Sequence, residues 1–410
     1  MTEGQFTYKR TIHAPVSQIF RAFTSATSLR EWLCDVSTTN PEEGGRIYLA
    51  WNHGYFASGH FVKLIPDEKI SFTWIGKNEP GWTHVDVSII PQGIDADYLV
   101  ELQHTGIGET SDWDQACEEI ARGWKFGLDN LKSILEEGRD LRVVNRPLLG
   151  IYPEDVTDLN EAAKQALRIP VDYGILVRDV VVGYGAEKAG IKANDVIVAI
   201  NHRKIDKLMS LGLVINKFEP GDIVEVDVFR GPDKLTLPVD TMPQMFQMIP
   251  ETPEGLAKQV EIDSLRAIER IENLLDGITE EEASFSPGPE EWSVKEVLVH
   301  LIHSERDIHS WINDLVSGQE RFYDEWPGDR LFRIRATLTN YPTVESLMAE
   351  LRRDYKETVA SIAFLELEFT HQKASYWRLG RELLGKTIHI DEHIQQIKNN
   401  IQAARQAMQI

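Results

Sequence analysis

Cysteine is scarce in this chain, which has only Cys34 and Cys117 among its 410 residues. Two thiols cannot build a disulfide framework, and reduced thiols are typical of the cytoplasm, which is the location we expect. Neither cysteine lies in a CxxC pair or beside a convincing base. We therefore expect both to be small buried residues and not reactive thiols.

Long apolar runs are also missing. No stretch of about 18 uninterrupted apolar residues occurs, and the N-terminal segment MTEGQFTYKR lacks the apolar region of a signal peptide. We therefore expect neither a membrane-spanning helix nor secretion.

Positive charge is in deficit, because 43 Lys and Arg residues stand against 65 Asp and Glu residues, for a net charge of -22. Such a chain repels nucleic-acid phosphates and anionic lipid, and no basic cluster compensates locally, so we expect neither nucleic acid nor membrane as a partner. A hydrophobic content of 42% and a charged content of 26% are typical of globular proteins. The length predicts two or three domains.

Two histidines near the C-terminus have a spacing that suits metal binding. His389 and His393 lie four residues apart in the string HIDEHIQQI. Side chains at this spacing project from one face of a helix, about 5 to 6 Å apart at Cβ, and can share one metal ion. The alternative is that the two rings form a solvated stripe. The pair borders an apolar seam, which favours a position at the edge of a helical core; the seam comprises Ile390, Ile394, Ile397, Ile401 and Met408.

A third ligand would have to come from another helix. In EWSVKEVLVHLIHSE, Ser293 and Glu296 form a capping box that predicts a helix start. The apolar face of this helix comprises Val294, Val297, Leu298 and Leu301. His300 lies on the same helix, and packing could bring it to the pair. Three neutral imidazoles would leave a fourth coordination position open, which is typical of reactive metal sites.

The segment from residue 252 to 410 resembles the DinB-like superfamily of all-α four-helix bundles. Trp292, Ser293 and His300 match its first motif, whereas the second motif is matched by the string that runs from His389 to Ile397. The resemblance implies that His300, His389 and His393 bind a divalent metal ion, most often zinc or nickel. His303 competes for the first role, but its offset from the Trp-Ser start does not match. Some members resemble thiol transferases that use bacillithiol, mycothiol or glutathione, and others resemble hydrolases.

Residues 1 to 138 show alternating strand patterns between helices. An extended run over FTYKRTIHAP precedes a helical stretch from Val16 to Trp32. Five strand-like segments follow, separated by turn residues, and they are GRIYLAW, GHFVKLI, KISFTWI, WTHVDVSII and DYLVELQH. A long amphipathic helix from about Asp112 to Glu137 closes the region. We expect an antiparallel sheet crossed by that helix.

This arrangement resembles the START-like (SRPBCC) superfamily, in the branch related to activators of the heat-shock ATPase. The matching residues include Ile12, Ala14, Pro15, Phe20 and Trp32, then Gly44, Gly45, Gly59, Phe61 and Pro66, and finally His104, Thr105, Gly106, Gly123 and Trp124. The resemblance implies a helix-grip α/β fold with an apolar cavity lined by Trp51, Phe72, Trp74 and Trp124. The alternative is that these aromatic residues are simply core. We interpret His104 as a structural residue at a strand end.

Residues 146 to 242 resemble a bacterial PDZ domain, a small β-barrel-like fold, of the type attached to periplasmic proteases. The run AEKAGIKANDVIVAIN is close to the family pattern, with Asn194 where Gly is usual and Gly185 where Pro is common. Asn tolerates the left-handed backbone conformation, so the turn should survive. No Ser/His/Asp set accompanies the region, so protease activity is not expected to come with it.

A PDZ domain binds an extended C-terminal peptide by adding it to a sheet edge. The resemblance implies that one wall of the groove and its carboxylate-binding loop are formed by Leu148, Leu149, Gly150 and Ile151. The other wall would be a helix that contains Leu208, Leu211 and Ile215. The alternative is a spacer or dimerisation element.

Taken together, the sequence predicts a multidomain α+β protein, and we expect it to be a cytoplasmic binding protein. It would combine a cavity for an apolar small molecule or client protein, a groove for a protein C-terminal peptide, and a metal-binding bundle. The alternative is an enzyme, a metal-dependent thiol transferase or hydrolase that acts through the bundle. A weaker alternative is a co-chaperone, suggested only by relatives of the first region.

Overall fold

The computed structural model describes residues 4–93, 97–288, 291–321 and 330–408. The chain forms two compact units: Met1–Arg139 together with Gln247–Ile410 make the first, and Asp140–Phe246 make the second. In the part of the chain that the model describes, no helix combines the length and the apolar character needed to cross a bilayer. Residues 1–3, at the start of the expected 1–138 region, lie outside the described residues. Residues 409–410, at the end of the expected 252–410 region, do so as well.

The first domain is a seven-stranded antiparallel sheet with helices packed on it. The strands are β1 (Gly4–His13), β2 (Val36–Thr39), β3 (Arg46–Ala50), β4 (Phe56–Ile65), β5 (Lys69–Gly76), β6 (Thr83–Pro91) and β7 (Asp97–Ile107). Their order across the sheet is β1-β7-β6-β5-β4-β3-β2. The helices are α1 (Val16–Thr24), α2 (Ala26–Trp32) and α3 (Asp114–Glu137), and a short 3₁₀ turn over Ser111–Trp113 leads into α3.

The stretch expected to be one helix from Val16 to Trp32 is two helices, so that expectation was wrong in detail. Ser25 adopts an extended backbone conformation, and its hydroxyl accepts a hydrogen bond from the Ser28 amide, which caps α2. Strand β2 was not expected, because four residues carry too little pattern. Cys34 is buried in the core, and Cys117 packs against the core from a partly exposed position.

The middle domain is built on a second antiparallel sheet with the strand order β14-β13-β11-β10-β9, and β12 pairs with β11. The strands are β8 (Pro147–Leu148), β9 (Ile151–Asp155), β10 (Ile175–Val180), β11 (Asp195–Ile200), β12 (Arg203–Lys204), β13 (Ile223–Arg230), β14 (Asp233–Asp240) and β15 (Met242–Pro243). The helices are α4 (Leu141–Val144), α5 (Glu161–Leu167), α6 (Gly185–Lys188) and α7 (Leu208–Ile215), with a 3₁₀ turn over Val156–Asp158.

Asn194 and Gly185, the two departures from the expected family pattern, are both explained by their local structure. Asn194 has a φ of 72°, the left-handed conformation that Asn tolerates. A Cβ at Gly185 would lie 1.8 Å from the Asp240 carbonyl oxygen, so a residue with a side chain does not fit there without a backbone shift.

The C-terminal domain is an all-α bundle. Its helices are α8 (Pro253–Leu275), α9 (Glu280–Ser284), α10 (Val294–Ser317), α11 (Arg330–Asn340), α12 (Val344–Ala363) and α13 (Lys373–Met408), with a 3₁₀ turn over Leu367–His371. The long helices α8 and α10 each pack against both α12 and α13. The capping box at the start of α10 forms as expected, because Ser293 and Glu296 exchange hydrogen bonds. The expected apolar seam of α13 is confirmed for its four isoleucines, which are buried. The prediction was wrong for Met408, which is 50% exposed.

A buried charged network joins the first domain to the bundle within the first unit. Arg378 of α13 lies 2.9 Å from an oxygen of Glu320 and 3.5 Å from an oxygen of Glu31 in α2. Arg30 contacts the same Glu320 carboxylate at 3.4 Å, and Ser375 donates a hydrogen bond to Glu31. Because buried charges need partners, this network ties α2 to α13.

Candidate metal centre and peptide groove

Helices α10 and α13 bring the three histidines together. They run antiparallel, because His300 contacts His389 while Glu305, five residues further along α10, contacts Lys386, three residues earlier in α13. His389 and His393 share one face of α13, with ring centroids 4.4 Å apart. The His300 ring lies 4.7 Å from the His393 ring. Residues from distant parts of the sequence thus meet at one place.

The ring nitrogens of these residues converge on one point. The Nε2 atom of His389 lies 3.2 Å from the Nε2 of His300 and 3.0 Å from that of His393. One ligand atom of each histidine lies within 4.8 Å of the others. Tetrahedral ligands at about 2.0 to 2.1 Å from zinc are roughly 3.3 Å apart. The spacing of the three nitrogens therefore fits a single divalent cation.

Neighbouring side chains orient two of the rings. The Nδ1 atom of His393 lies 2.9 Å from the Gln396 side-chain oxygen, which can only accept, so Nδ1 carries the proton and Nε2 offers its lone pair to the centre. The Trp292 ring packs on His300 with centroids 5.1 Å apart. Asn400 donates a hydrogen bond to the Trp292 carbonyl oxygen at 2.7 Å. Helix α13 therefore also fixes the residue that supports His300.

The electrostatic environment favours neutral imidazole. Burial, followed by the nearby His393 and Lys386, lowers the pKa of His389 to about 4. The neutral ring is the form that binds metal. The neutral His389 ring thus offers the lone pair that a divalent cation requires.

His303, the competing histidine of α10, has a hydrogen-bond partner on another helix. His303 is buried, and its Nε2 lies 2.8 Å from the Thr337 hydroxyl of α11. Six residues further along α10, His309 Nε2 lies 2.8 Å from the Thr358 hydroxyl. The structure therefore places His300, and not His303, against the pair in α13.

A buried ion pair lies next to the three histidines along the same two helices. Glu305, whose side chain is 2% exposed, pairs with Lys386. Thr358 of α12 donates a hydrogen bond to the other oxygen of Glu305 at 2.7 Å. The sequence analysis did not identify Lys386 or its pairing with Glu305. The three-residue step from Lys386 to His389 was the available signal, because it puts both on one helical face.

In the first domain, three of the four aromatic residues expected to line a cavity contact one another. Phe72, Trp74 and Trp124 are buried, and the Trp74 and Trp124 rings lie 5.5 Å apart. Trp51 is partly exposed and donates a hydrogen bond to the Leu33 carbonyl oxygen at 2.7 Å. This contact is typical of core packing, and the cavity stays a prediction.

His104 lies beside this aromatic group and has a partner at each ring nitrogen. Trp124 donates to Nδ1 at 3.0 Å, and Nε2 lies 2.7 Å from the Thr83 hydroxyl, which itself donates to the Trp74 carbonyl oxygen. Burial lowers the pKa of His104 to about 4, so the ring is neutral.

In the middle domain, the residues expected to form a peptide groove lie on β8, β9, the loop between them and α7. Gly150 has a φ of 83°, and a Cβ there would lie 2.0 Å from the Tyr184 Cβ, so only glycine fits this loop. Leu149 and Ile215 are buried, and Ile151 and Leu211 pack against the same core. Leu148 pairs with Met242, whereas Leu208 is 42% exposed at the start of α7.

Three family models match the chain in succession. The model of the Activator of Hsp90 ATPase homolog 1-like protein matches residues 13–136, the PDZ domain model matches residues 147–241, and the DinB superfamily model matches residues 265–397. The three resemblances inferred from the sequence are thereby confirmed, in the same order. We refer to the three parts below as the activator-like, PDZ and DinB-like domains.

The PDZ domain accounts for the similarity to bacterial proteases. The chain is 29% identical over 119 residues to the serine protease Do-like HtrA of Bacillus subtilis (strain 168), which is 28% of this chain and 26% of that protein. It is 42% identical over 67 residues to a probable periplasmic serine endoprotease DegP-like of Chlamydia trachomatis, which is 16% of this chain and 14% of that protein. The chain thus spans about a quarter or less of the length of these relatives.

Solved structures resemble one third of the chain. The Aha1 dimer from Colwellia psychrerythraea shares 22% identity with a TM-score of 0.29, covering 33% of this chain and 98% of that one. PFC0360w, an HSP90 activator from Plasmodium falciparum, shares 23% identity with a TM-score of 0.28, covering 32% and 95%.

Proposed function

We propose that this chain is a multidomain binding protein whose DinB-like domain holds one divalent metal ion through His300, His389 and His393. The observation that carries the proposal is the convergence of three Nε2 atoms, two pairs of which lie 3.0 and 3.2 Å apart. Neutral nitrogens that carry lone pairs gain nothing by facing one another unless a cation or a proton lies between them. Zinc and nickel suit imidazole ligands.

A metal ion held by three imidazoles keeps a coordination position for water, a thiol or a carbonyl oxygen, so it can act as a Lewis acid. This open position supports the alternative of a metal-dependent transferase or hydrolase. In either case the chain's own residues have defined tasks: Gln396 would hold the proton on Nδ1 of His393, and Trp292 would fix the His300 ring.

Elemental analysis of the purified full chain tests the metal site. We expect about one zinc or nickel ion per chain, and loss of that stoichiometric metal in His389→Ala and in His393→Ala. His303→Gln is the matched control, because it alters the competing histidine of α10 while keeping a partner for Thr337, and it should retain the metal. Equal metal content in all four proteins would rule out the triad as the site. Thiol conjugation by the loaded protein would favour the enzyme alternative.

A second candidate function is peptide binding by the PDZ domain. Strand β9 lies at the edge of its sheet, and Gly150, in the loop at its start, has a left-handed backbone conformation. These are the features that PDZ domains use to bind a C-terminal carboxylate and add a strand. Fluorescence anisotropy with a library of hexapeptides that have free C-termini should give binders, and amidation of the same peptides should abolish binding.

The activator-like domain would bind an apolar small molecule or a client protein. The support is the match of this domain to the model of the activator family, and a co-chaperone role would rest on the same match.

A further inference from the structure

Strand β9 of the PDZ domain contains a proline. Pro153 lies at the centre of β9, and β9 pairs with β10 as the last strand of the sheet. Proline has no main-chain N–H and cannot donate to a sheet ladder. The direction in which its nitrogen points decides whether the sheet or a bound peptide lacks that donor.

Two hydrogen bonds fix the direction. The Val156 amide donates to the Gly174 carbonyl oxygen at 3.0 Å, across β9 and β10. Facing residues of an antiparallel pair alternate between positions that hydrogen-bond across the pair and positions that do not. Val156 and Gly174 occupy a bonded position. Val177 faces Pro153 and lies three residues after Gly174, so Pro153 and Val177 occupy a non-bonded position. The Val177 carbonyl oxygen accepts instead from the Asn194 amide at 2.8 Å, beside the start of β11. Pro153 therefore directs its nitrogen and its carbonyl oxygen to the open edge.

The same alternation assigns the other groups of this edge. Gly150 directs its carbonyl oxygen toward the end of β10, where it accepts from the Val181 amide at 2.9 Å. Ile151, Pro153 and Asp155 consequently face the open edge. Ile151 offers both a donor and an acceptor to an added strand, whereas Pro153 offers an acceptor alone. A peptide residue opposite Pro153 would find no donor for its carbonyl oxygen.

The end of the groove that lies away from the Gly150 loop is closed by a hydrogen bond. The side chain of Asp155 accepts a hydrogen bond from the Leu208 amide at 2.6 Å, which joins the end of β9 to the start of α7. The near end is apolar, because Leu149 and Ile215 are buried in the domain core and the partly buried Ile151 and Leu211 pack against that core beside the Gly150 loop. An aliphatic C-terminal side chain fits that surface.

We propose that this groove recognises only the last two residues of a partner protein, an aliphatic residue with its free carboxylate and the residue before it, and that Pro153 ends the added strand there. The inference rests on the proposed peptide-binding function. It gives that function a defined ligand class, a short C-terminal tail and not an extended segment.

Peptides of two lengths test the proposal on the full chain. The probes are fluorescent hexapeptides with free C-termini and aliphatic last residues, and unlabelled dipeptides that share their last two residues and are measured by competition. In the natural protein, hexapeptides should bind no more than about twofold more tightly than dipeptides. In Pro153→Val, the restored N–H should tighten hexapeptide binding roughly threefold to tenfold, the effect of one hydrogen bond, and leave dipeptide binding within about twofold.

Pro238→Val is the matched control, because Pro238 lies in β14, the strand at the opposite edge of the same sheet. It should change neither affinity. A natural protein that already binds hexapeptides tenfold more tightly than dipeptides would overturn the inference while supporting peptide binding. A Pro153→Val variant that self-associates without gaining affinity would also overturn it, since Pro153 would then only protect the edge. Absence of binding to the natural protein and to both variants would overturn peptide binding itself.

Discussion

The activator-like and DinB-like domains both bury histidine, but the rings have opposite environments. Trp124 donates to one nitrogen of His104, and the other nitrogen donates to the Thr83 hydroxyl, so the hydrogen-bonding capacity of the ring is used. In the DinB-like domain, His389 Nε2 faces the Nε2 atoms of His300 and His393. Both His104 and His389 have a pKa lowered to about 4, mainly by burial.

The difference teaches that pKa and burial alone do not identify a functional histidine. Satisfied polar groups are the rule inside proteins, so His104 is explained by packing and hydrogen bonding. The convergence of three ring nitrogens on one point is not explained by packing alone, and a divalent cation at its centre would complete it. The relation between neighbouring nitrogens is therefore the more informative observation.

The largest effect on stability should come from the activator-like domain. His104→Ala removes a ring that contacts Trp74 and leaves the Trp124 N–H without its acceptor. We expect a loss of about 3 to 5 kcal/mol in the free energy of unfolding, because a buried volume and two hydrogen bonds disappear together. Urea denaturation followed by tryptophan fluorescence measures it, and the metal content of the folded protein should not change.

His389→Ala is the counterpart that completes the comparison. With a chelator present, it should change the free energy of unfolding by less than about 1 kcal/mol, because the ring is only half-buried and its removal separates like nitrogens. A destabilisation as large as that of His104→Ala would mean that the three histidines are a structural cluster, and the contrast between the domains would disappear.

Much of the fold was predictable, because the patterns that specify it are local. The capping box at Ser293 marks the start of α10, and alternating residues mark the strands of the activator-like domain. The left-handed turn at Asn194 follows from the chemistry of one side chain. The break at Ser25 was missed because the apolar spacing continues across it, and only its capping bond divides the two helices.

Long-range pairing was not predictable from one sequence. Arg378 and Glu31 are 347 positions apart, and no local pattern connects them. The partnership of Lys386 with Glu305 depends likewise on how α10 and α13 pack. The triad was the exception, because a helical repeat of four places two of its members together and a family motif supplies the third. Its supporting contacts, from Gln396 and Trp292, emerged only from the structure.

The contact between Gln396 and His393 provides the finest test of the comparison between the two domains. Gln396→Ala removes the acceptor that holds the proton on Nδ1 of His393, so the ring can change tautomer and turn its Nε2 from the centre. We expect zinc affinity to fall about 10- to 100-fold, measured by competition with a chelating dye, while Gln396→Glu restores most of it. Gln395→Ala, on the exposed face of the same helix, is the matched control. Equal affinity in the two alanine variants would show that the triad orients itself without help, and the difference from the fully partnered His104 would then lie in the converging nitrogens alone.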